Sequence, residues 1–216
     1  MSAAVLVMAR APRPGQVKTR LEPLLGPEGC ARLQAGLVRR AAEWAHQVAP
    51  GAVHVAGTPD DGLAELEALV PPDTAVFGQV GADLGERLAA ATAQVLSRHD
   101  GPVLVIGTDL PGLRPAHGAA ALDDLAEGCD AVFGPAMDGG YYLVAIARPL
   151  PELFALPTEA WGGPDVLSLG LRAAQELGLE VGLLRPERDL DTPADARAAL
   201  LDPTLSPDIA ELLRPP

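Results

Sequence analysis

"AAVLVMARAPRPGQVKTRL", Ala3 to Leu21, joins an unbroken apolar run to a loop crowded with cations. Ala3 to Ala9 carries no polar side chain, the pattern of a short strand covered on both faces, as in a parallel sheet. The loop that follows holds Arg10, Arg13, Lys18 and Arg20, with Pro12, Pro14 and Gly15 between them. Lys18 is the only lysine of the chain, and the other fifteen basic side chains are Arg, in a chain of formal net charge -13. A cationic Gly/Pro loop at the end of a buried strand, on an otherwise acidic chain, suits a small anion held by backbone N–H groups and basic side chains.

Outward from that stretch, apolar runs alternate with helical periodicity. Pro27 to Val48 reads as a helix, with Pro27 in its first turn and Leu33, Leu37, Ala41 and Trp44 on one face. Strands are expected at Ala52–Gly57, Thr74–Gly78, Gly101–Gly107, Asp130–Ala136, Gly139–Ile146 and Glu180–Leu184. Helices are expected near Asp61–Leu69, Leu84–Ser97, Pro115–Glu127, Pro164–Leu177 and Thr192–Leu201, the last with Thr192 as N-cap and Pro193 at N1. This β–α alternation implies a mostly parallel sheet with helices on both faces. No long helix separates the strands between Asp130 and Ile146, so at least one strand is expected to run antiparallel. One domain is expected over residues 1–202, followed by a Pro-rich, loosely attached tail at 203–216.

The chain has 216 residues and 48% apolar content, enough for a sizeable core. No apolar run approaches the roughly 20 residues that a membrane-spanning helix needs. "MSAAVLVMAR" has no basic n-region, so a strand is expected there rather than a signal peptide, and a cytoplasmic protein follows as the expectation. Cys30 and Cys129 show no metal-ligand spacing and read as reduced, buried thiols. The acidic balance argues against general nucleic-acid binding, and the few aromatic residues offer no base-stacking platform. There is no G-x-G-x-x-G, no complete Walker loop, no G-x-S-x-G elbow and no His/Cys cluster.

In open α/β sheets, ligands bind outside the carboxyl ends of the strands. The loops expected there are Arg10–Leu21, "GTDLPGL" (Gly107 to Leu113), "MDGGYY" after the Asp130–Ala136 strand, and "RPERDLDTPADA" (Arg185 to Ala196). Three of them carry an Asp that the preceding strand would deliver to one end of the sheet: Asp109, Asp138 and Asp191. Carboxylates facing a basic loop leave a slot for a metal–nucleotide. Each feature also has an ordinary structural use. The Arg-rich loop suits a solvated surface, Asp109 and Asp138 suit turns, and Asp191 suits a helix start.

"ARAPRPGQVKTRL", "GQVGADLGERL" (Gly78 to Leu88), "VIGTDLPGL", "FGPAMDGGYYLVAI" and "DLDTPADA", in that order, resemble the motif blocks of the DUF2064 family. That family is similar to the GT-A nucleotide-diphospho-sugar transferase superfamily, which also holds the molybdenum-cofactor and the phospholactate or phosphoenolpyruvate guanylyltransferases. The resemblance runs from Ala3 to about Ala199. It implies a single-domain GT-A, Rossmann-like α/β three-layer sandwich with a mixed, mostly parallel sheet. It further implies that Arg10, Gly15, Lys18 and Arg20, beside Ala9 and Thr108, hold nucleotide phosphates, and that Gln79 and Arg87 lie near the base or ribose. Asp109 and Asp191 would bind Mg²⁺ or Mn²⁺. Asp138, Gly139, Gly140 and Tyr141 would hold the acceptor, with Lys18, Asp109 and Asp138 as the catalytic set. Thr108-Asp109-Leu110 is not the D-x-D of the sugar transferases, and a single Asp at this place is more like the nucleotidyltransferases.

The leading expectation is metal-dependent glycosyl transfer from a nucleotide-sugar to a small-molecule acceptor. The alternatives are nucleotidyl transfer of the guanylyl or cytidylyl type to a small phosphorylated, phosphonylated or carboxylated acid, with pyrophosphate release, and a non-catalytic nucleotide-binding module. Partners are therefore a nucleotide or nucleotide-sugar and a small acceptor, with no nucleic acid. The sequence gives no reading of base, sugar, acceptor or oligomeric state.

Overall fold

The computed structural model describes residues 2–214, so Met1, Pro215 and Pro216 lie outside the described residues. Seven strands form one sheet in the order β3-β2-β1-β4-β6-β5-β7. They are β1 Ala4–Arg10, β2 Val53–Thr58, β3 Ala75–Gly78, β4 Val103–Ile106, β5 Ala131–Pro135, β6 Tyr141–Ile146 and β7 Val181–Leu183. The helices are α1 Glu22–Val48, α2 Leu63–Glu67, α3 Leu84–Leu96, α4 Pro115–Ala126, α5 Val166–Glu176, α6 Pro193–Leu200 and α7 Pro207–Leu212.

Alternation along β1 explains the three layers. Val5, Val7 and Ala9 pack with Val38, Ala41 and Trp44 of α1 and Ala121 of α4. Ala4 and Leu6, on the other face, pack with Leu88 and Val95 of α3 and Ala174 of α5. Both faces are thus covered by helices, which is why β1 and β4 read as continuous apolar runs. β6 is antiparallel to both β4 and β5, and the remaining strand pairs are parallel. The mixed, mostly parallel sheet expected from the sequence is what the chain forms.

The order of the strands places the site. β2 lies on one side of β1 and β4 on the other, so the connections leave in opposite directions and open a crevice between the carboxyl ends of β1 and β4. The β1–α1 loop and the loop carrying Asp109 face each other across it.

Three local expectations need correction. α1 begins at Glu22 rather than Pro27, but Gly26 breaks it with φ 68°, and Pro27 restarts it. The positive φ is open to glycine at little cost, and proline suits the new first turn. Cys129 is only half-buried, whereas Cys30 is buried as expected; both thiols are free. The tail after Pro203 is not loose: Ser206 caps α7 by accepting from the Ile209 amide, and Ile209 and Leu213 are buried against Leu33 and Leu37 of α1. Spaced four apart, those two side chains share one face of the helix, which the high proline content hides. Among the described residues no helix is long and apolar enough to cross a membrane.

Candidate functional site

A cavity of about 520 Å³ opens at the β1–β4 crevice. Its walls bring together Ala9, Arg10, Lys18, Arg20, Gln79, Arg87, Thr108, Asp109 and Asp191, residues spread over most of the chain. Of the residues expected at the nucleotide, Gly15 alone lies outside this lining; with φ 73° it shapes the loop. Arg13, the fourth cation of the opening loop, faces away and pairs with Asp61 at 3.0 Å and Glu65 at 2.8 Å.

Lys18 is the centre of the cluster. Its ammonium lies 2.6 Å from Asp109 Oδ1 and 2.8 Å from Asp191 Oδ1, and donates to the Leu190 carbonyl at 2.8 Å. Its side chain is only 5% exposed. Burial alone lowers an ammonium pKa, but Asp109 and Asp191 more than offset it and hold Lys18 above the usual lysine value. The backbone of Lys18 is left-handed, at φ 49° and ψ 36°, and it is the only non-glycine residue with positive φ among the described residues. That conformation costs an L-residue on the order of 1 kcal/mol. It is held by two bonds to the Lys18 carbonyl, from the Leu21 amide at 2.8 Å and the Cys30 thiol at 3.2 Å.

The two acidic loops are tied together by their backbones. The Leu190 amide donates to the Asp109 carbonyl at 2.8 Å, which sets Asp191 opposite Asp109. Buried Thr108 donates to Asp109 Oδ1 at 3.2 Å and accepts from Gln34 Nε2 at 3.2 Å. Gln34 also donates to the Arg10 carbonyl at 3.3 Å, so α1 braces both loops. Gln79 donates to the carbonyls of Ala9 and Ala56, at 3.3 and 2.8 Å. Asp83, in the neighbouring segment, caps α3 by accepting from the Glu86 amide at 2.9 Å.

The donor set suits a hard divalent cation. Asp109, Asp191 and the Leu190 carbonyl gather oxygen atoms around the positive charge of Lys18, and oxygen donors of this kind are the chemistry that Mg²⁺ and Mn²⁺ require. Among the described residues, no three His, Cys, Asp or Glu side chains already form a metal cage. Mg²⁺ is commonly held by one or two carboxylates together with substrate phosphates and water, and two carboxylates match that habit.

A second cavity, of about 270 Å³, adjoins the first and shares Asp109 and Asp191 with it. Its lining includes Asp138, Gly140 and Tyr141, three of the residues for which the resemblance implies acceptor contact. Gly139 is not part of its lining; its carbonyl accepts from the Leu167 amide at 3.0 Å, tying the loop to α5. Asp138 accepts from the Gly140 amide at 2.9 Å, so it serves as the turn residue and lines the cavity as well. Trp161 lines the same cavity while packing against the α3–α5 core.

Asp189 was not singled out by the sequence, and it belongs to this wall. Burial, followed by the charges of Asp109, Asp138 and Asp191, pushes its pKa up to about 7. Its Oδ1 is buried with no hydrogen-bond partner. The only sequence signal for it is a second Asp two residues before Asp191.

Residues 37–161 match the family described as "Uncharacterized protein conserved in bacteria (DUF2064)". The chain is 38% identical over 167 residues to the phosphoenolpyruvate guanylyltransferase of Streptomyces avermitilis, covering 74% of this chain and 72% of that one. It is 33% identical over 141 residues to the phosphoenolpyruvate guanylyltransferase of Thermomonospora curvata, covering 64% of this chain and only 56% of that one. Among solved structures, a protein from Desulfovibrio desulfuricans G20 assigned to the nucleotide-diphospho-sugar transferases superposes with TM-score 0.85 at 30% identity. That match covers 99% of this chain and 97% of the other.

Proposed function

The chain belongs to the DUF2064 family, and from that premise we propose that it is a metal-dependent nucleotidyltransferase, moving a nucleoside monophosphate from a triphosphate to a small acceptor with release of pyrophosphate. The observation that carries this reading is the single Asp109 after β4, facing Asp191 across the Lys18 ammonium, where a sugar transferase would carry D-x-D. The similarity to two guanylyltransferases supports it and moves nucleotidyl transfer ahead of the glycosyl transfer expected first.

Arg10, Arg20 and Arg87 on the cavity wall face the negative charge of a triphosphate. Lys18, freed from the carboxylates, is within the same cavity and would follow the charge that builds on the departing pyrophosphate. Asp109 and Asp191 would hold Mg²⁺ or Mn²⁺, and the chemistry the ion supplies when bound is neutralisation of phosphate oxygens. An acceptor phosphate, phosphonate or carboxylate is already deprotonated and needs no base. Asp138 would be the base only for a hydroxyl acceptor, as in sugar transfer.

That second reading is kept because of the full-length likeness to the D. desulfuricans structure. A pyrophosphate-release assay with the four ribonucleoside triphosphates, run beside a nucleoside-diphosphate release assay with nucleotide-sugars, separates the two. Pyrophosphate from one triphosphate and no turnover of nucleotide-sugars is the expected result. The reverse pattern returns the chain to glycosyl transfer.

A further inference from the structure

The two adjoining cavities differ sharply in charge. The larger is lined by four cationic side chains, Arg10, Lys18, Arg20 and Arg87, besides Asp109 and Asp191. The smaller carries four carboxylates, Asp109, Asp138, Asp189 and Asp191, and among the described residues lining it there is no Lys, Arg or His. Asp109 and Asp191 have a cation, Lys18. Asp138 and Asp189 pair with no cation among the described residues, and Asp189 Oδ1 is buried without a hydrogen-bond partner. A buried carboxylate oxygen in this state is costly unless something brings it a proton donor or a positive charge.

The rest of the wall is apolar and aromatic, including Leu88, Val105, Val166, Tyr141 and Trp161. The Tyr141 hydroxyl, whose oxygen can accept from an ammonium N–H, is also buried without a partner. Carboxylates beside aromatic rings are the surroundings in which organic ammonium groups bind. The volume, about 270 Å³, is at the small end for a ligand pocket.

We infer that the smaller cavity takes an acceptor with a cationic amine or quaternary ammonium a few bonds from the phosphate or phosphonate oxygen that attacks. This rests on the nucleotidyl-transfer reading above. The attacking oxygen lies at the Asp109–Asp191 boundary of the cavities, and the ammonium lies towards Asp138 and Asp189. The acceptor oxygen forms a bond to the α-phosphorus of the triphosphate, the bond from that phosphorus to the bridging oxygen breaks, and pyrophosphate leaves with the electron pair. No proton or oxidant is consumed. An acceptor whose second charged group is a carboxylate, such as phosphoenolpyruvate, would set that group against Asp138 and Asp189 with no cation in the lining to pair with it.

The test is pyrophosphate release by the full chain with Mn²⁺ and each of the four ribonucleoside triphosphates. The acceptor probes are phosphocholine, phosphoethanolamine and 2-aminoethylphosphonate on one side, and glycerol 3-phosphate and phosphoenolpyruvate on the other. At least one amine-bearing probe is expected to exceed both amine-free probes at least tenfold in kcat/KM. Asp189→Asn and Asp138→Asn are each expected to raise KM for that probe at least tenfold while changing kcat less. Asp138 is exposed, so its variant keeps the test usable if the Asp189 variant does not fold. Equal or better turnover of phosphoenolpyruvate or glycerol 3-phosphate overturns the inference and leaves nucleotidyl transfer standing. An unchanged KM in both Asn variants also overturns it. Turnover of nucleotide-sugars alone sinks the nucleotidyl reading and the inference with it. Turnover of none of the five probes, by a protein whose melting temperature rises with a triphosphate and Mn²⁺, overturns the inference.

Discussion

At the scale of single residues, Lys18 and Asp189 divide the electrostatics of the site. The Lys18 ammonium already sits between Asp109 and Asp191, at 2.6 and 2.8 Å, so a divalent cation held there as proposed would compete with it for the same oxygens. Lys18→Met is therefore expected to bind Mn²⁺ more tightly than the native chain when no nucleotide is present, read from the loss of free-Mn²⁺ paramagnetic signal on titration. The same variant is expected to lose about 100-fold or more in pyrophosphate release, the usual effect of removing one donor to developing charge. Equal Mn²⁺ affinity in the two proteins would show that the ammonium does not stand in for the ion. Asp189 carries the opposite lesson. Its folded pKa, about 7, is above the ordinary 3.8, so between those values the folded chain keeps a proton that the unfolded chain has released. Its contribution to stability is full below about pH 4 and is lost as pH rises through about 7. In EDTA, Asp189→Asn is expected to show a higher melting temperature than the native chain at pH 8, with the difference closing towards pH 4. A difference independent of pH would place the cause elsewhere.

At the scale of elements, a helix end fixes one of the loops that line the candidate site. Thr192 and Asp195 form a reciprocal capping box at the start of α6: Thr192 Oγ1 accepts from the Asp195 amide at 3.3 Å, and Asp195 Oδ2 accepts from the Thr192 amide at 2.9 Å. Asp191 is the residue just before this cap. Thr192→Ala is expected to cost about 1 kcal/mol, or roughly 2–4 °C in melting temperature. It should also raise the KM for nucleotide, because the Asp191 loop loses its anchor. A change in melting temperature with unchanged KM would mean that the cap stabilises the helix without setting Asp191. The elements themselves were largely legible. β1 and β4 are buried on both faces, so their apolar runs are continuous, and Thr192-Pro193 marks the start of α6 in the residues themselves. What was not legible depends on which way a loop side chain turns. Asp189 lies in an irregular segment with no periodicity to report its direction, and only folding sets it against Asp138. The family resemblance implies an acceptor role for Gly139, and no pattern in the sequence shows that its carbonyl also accepts from the Leu167 amide and holds α5. The sequence places Arg13 among four cations of one loop, and only the fold shows that Asp61 and Glu65, brought near by β2 and α2, claim it.

At the scale of the whole molecule, a third apolar cluster links α7 to the candidate site. Ile209 of α7 and Leu213, the residue that caps its end, pack in one group with Leu21, Leu33 and Leu37, and with Leu190 and Ala196. Leu21 ends the turn that starts at Lys18, and Leu190 immediately precedes Asp191. Cys30, in the same cluster, donates its thiol to the Lys18 carbonyl. The backbone of the basic loop and the backbone of one acidic loop thus rest on the same small core, and α7 closes it. Truncating a fully buried Ile side chain to Ala costs about 2–5 kcal/mol. Ile209→Ala is expected to lower the melting temperature by roughly 5–15 °C. Because the cavity left behind touches the supports of both Lys18 and Asp191, the variant should also bind Mn²⁺ with nucleotide at least several-fold more weakly at a temperature where it is still folded. A control in the main core away from this cluster, Val95→Ala in α3, should lose comparable stability and keep its Mn²⁺–nucleotide affinity. If both variants lose affinity in proportion to stability, the tail helix is only a generic part of the fold. If Ile209→Ala alone loses it, the last helix of the chain is a support of the site that its proline-rich composition conceals.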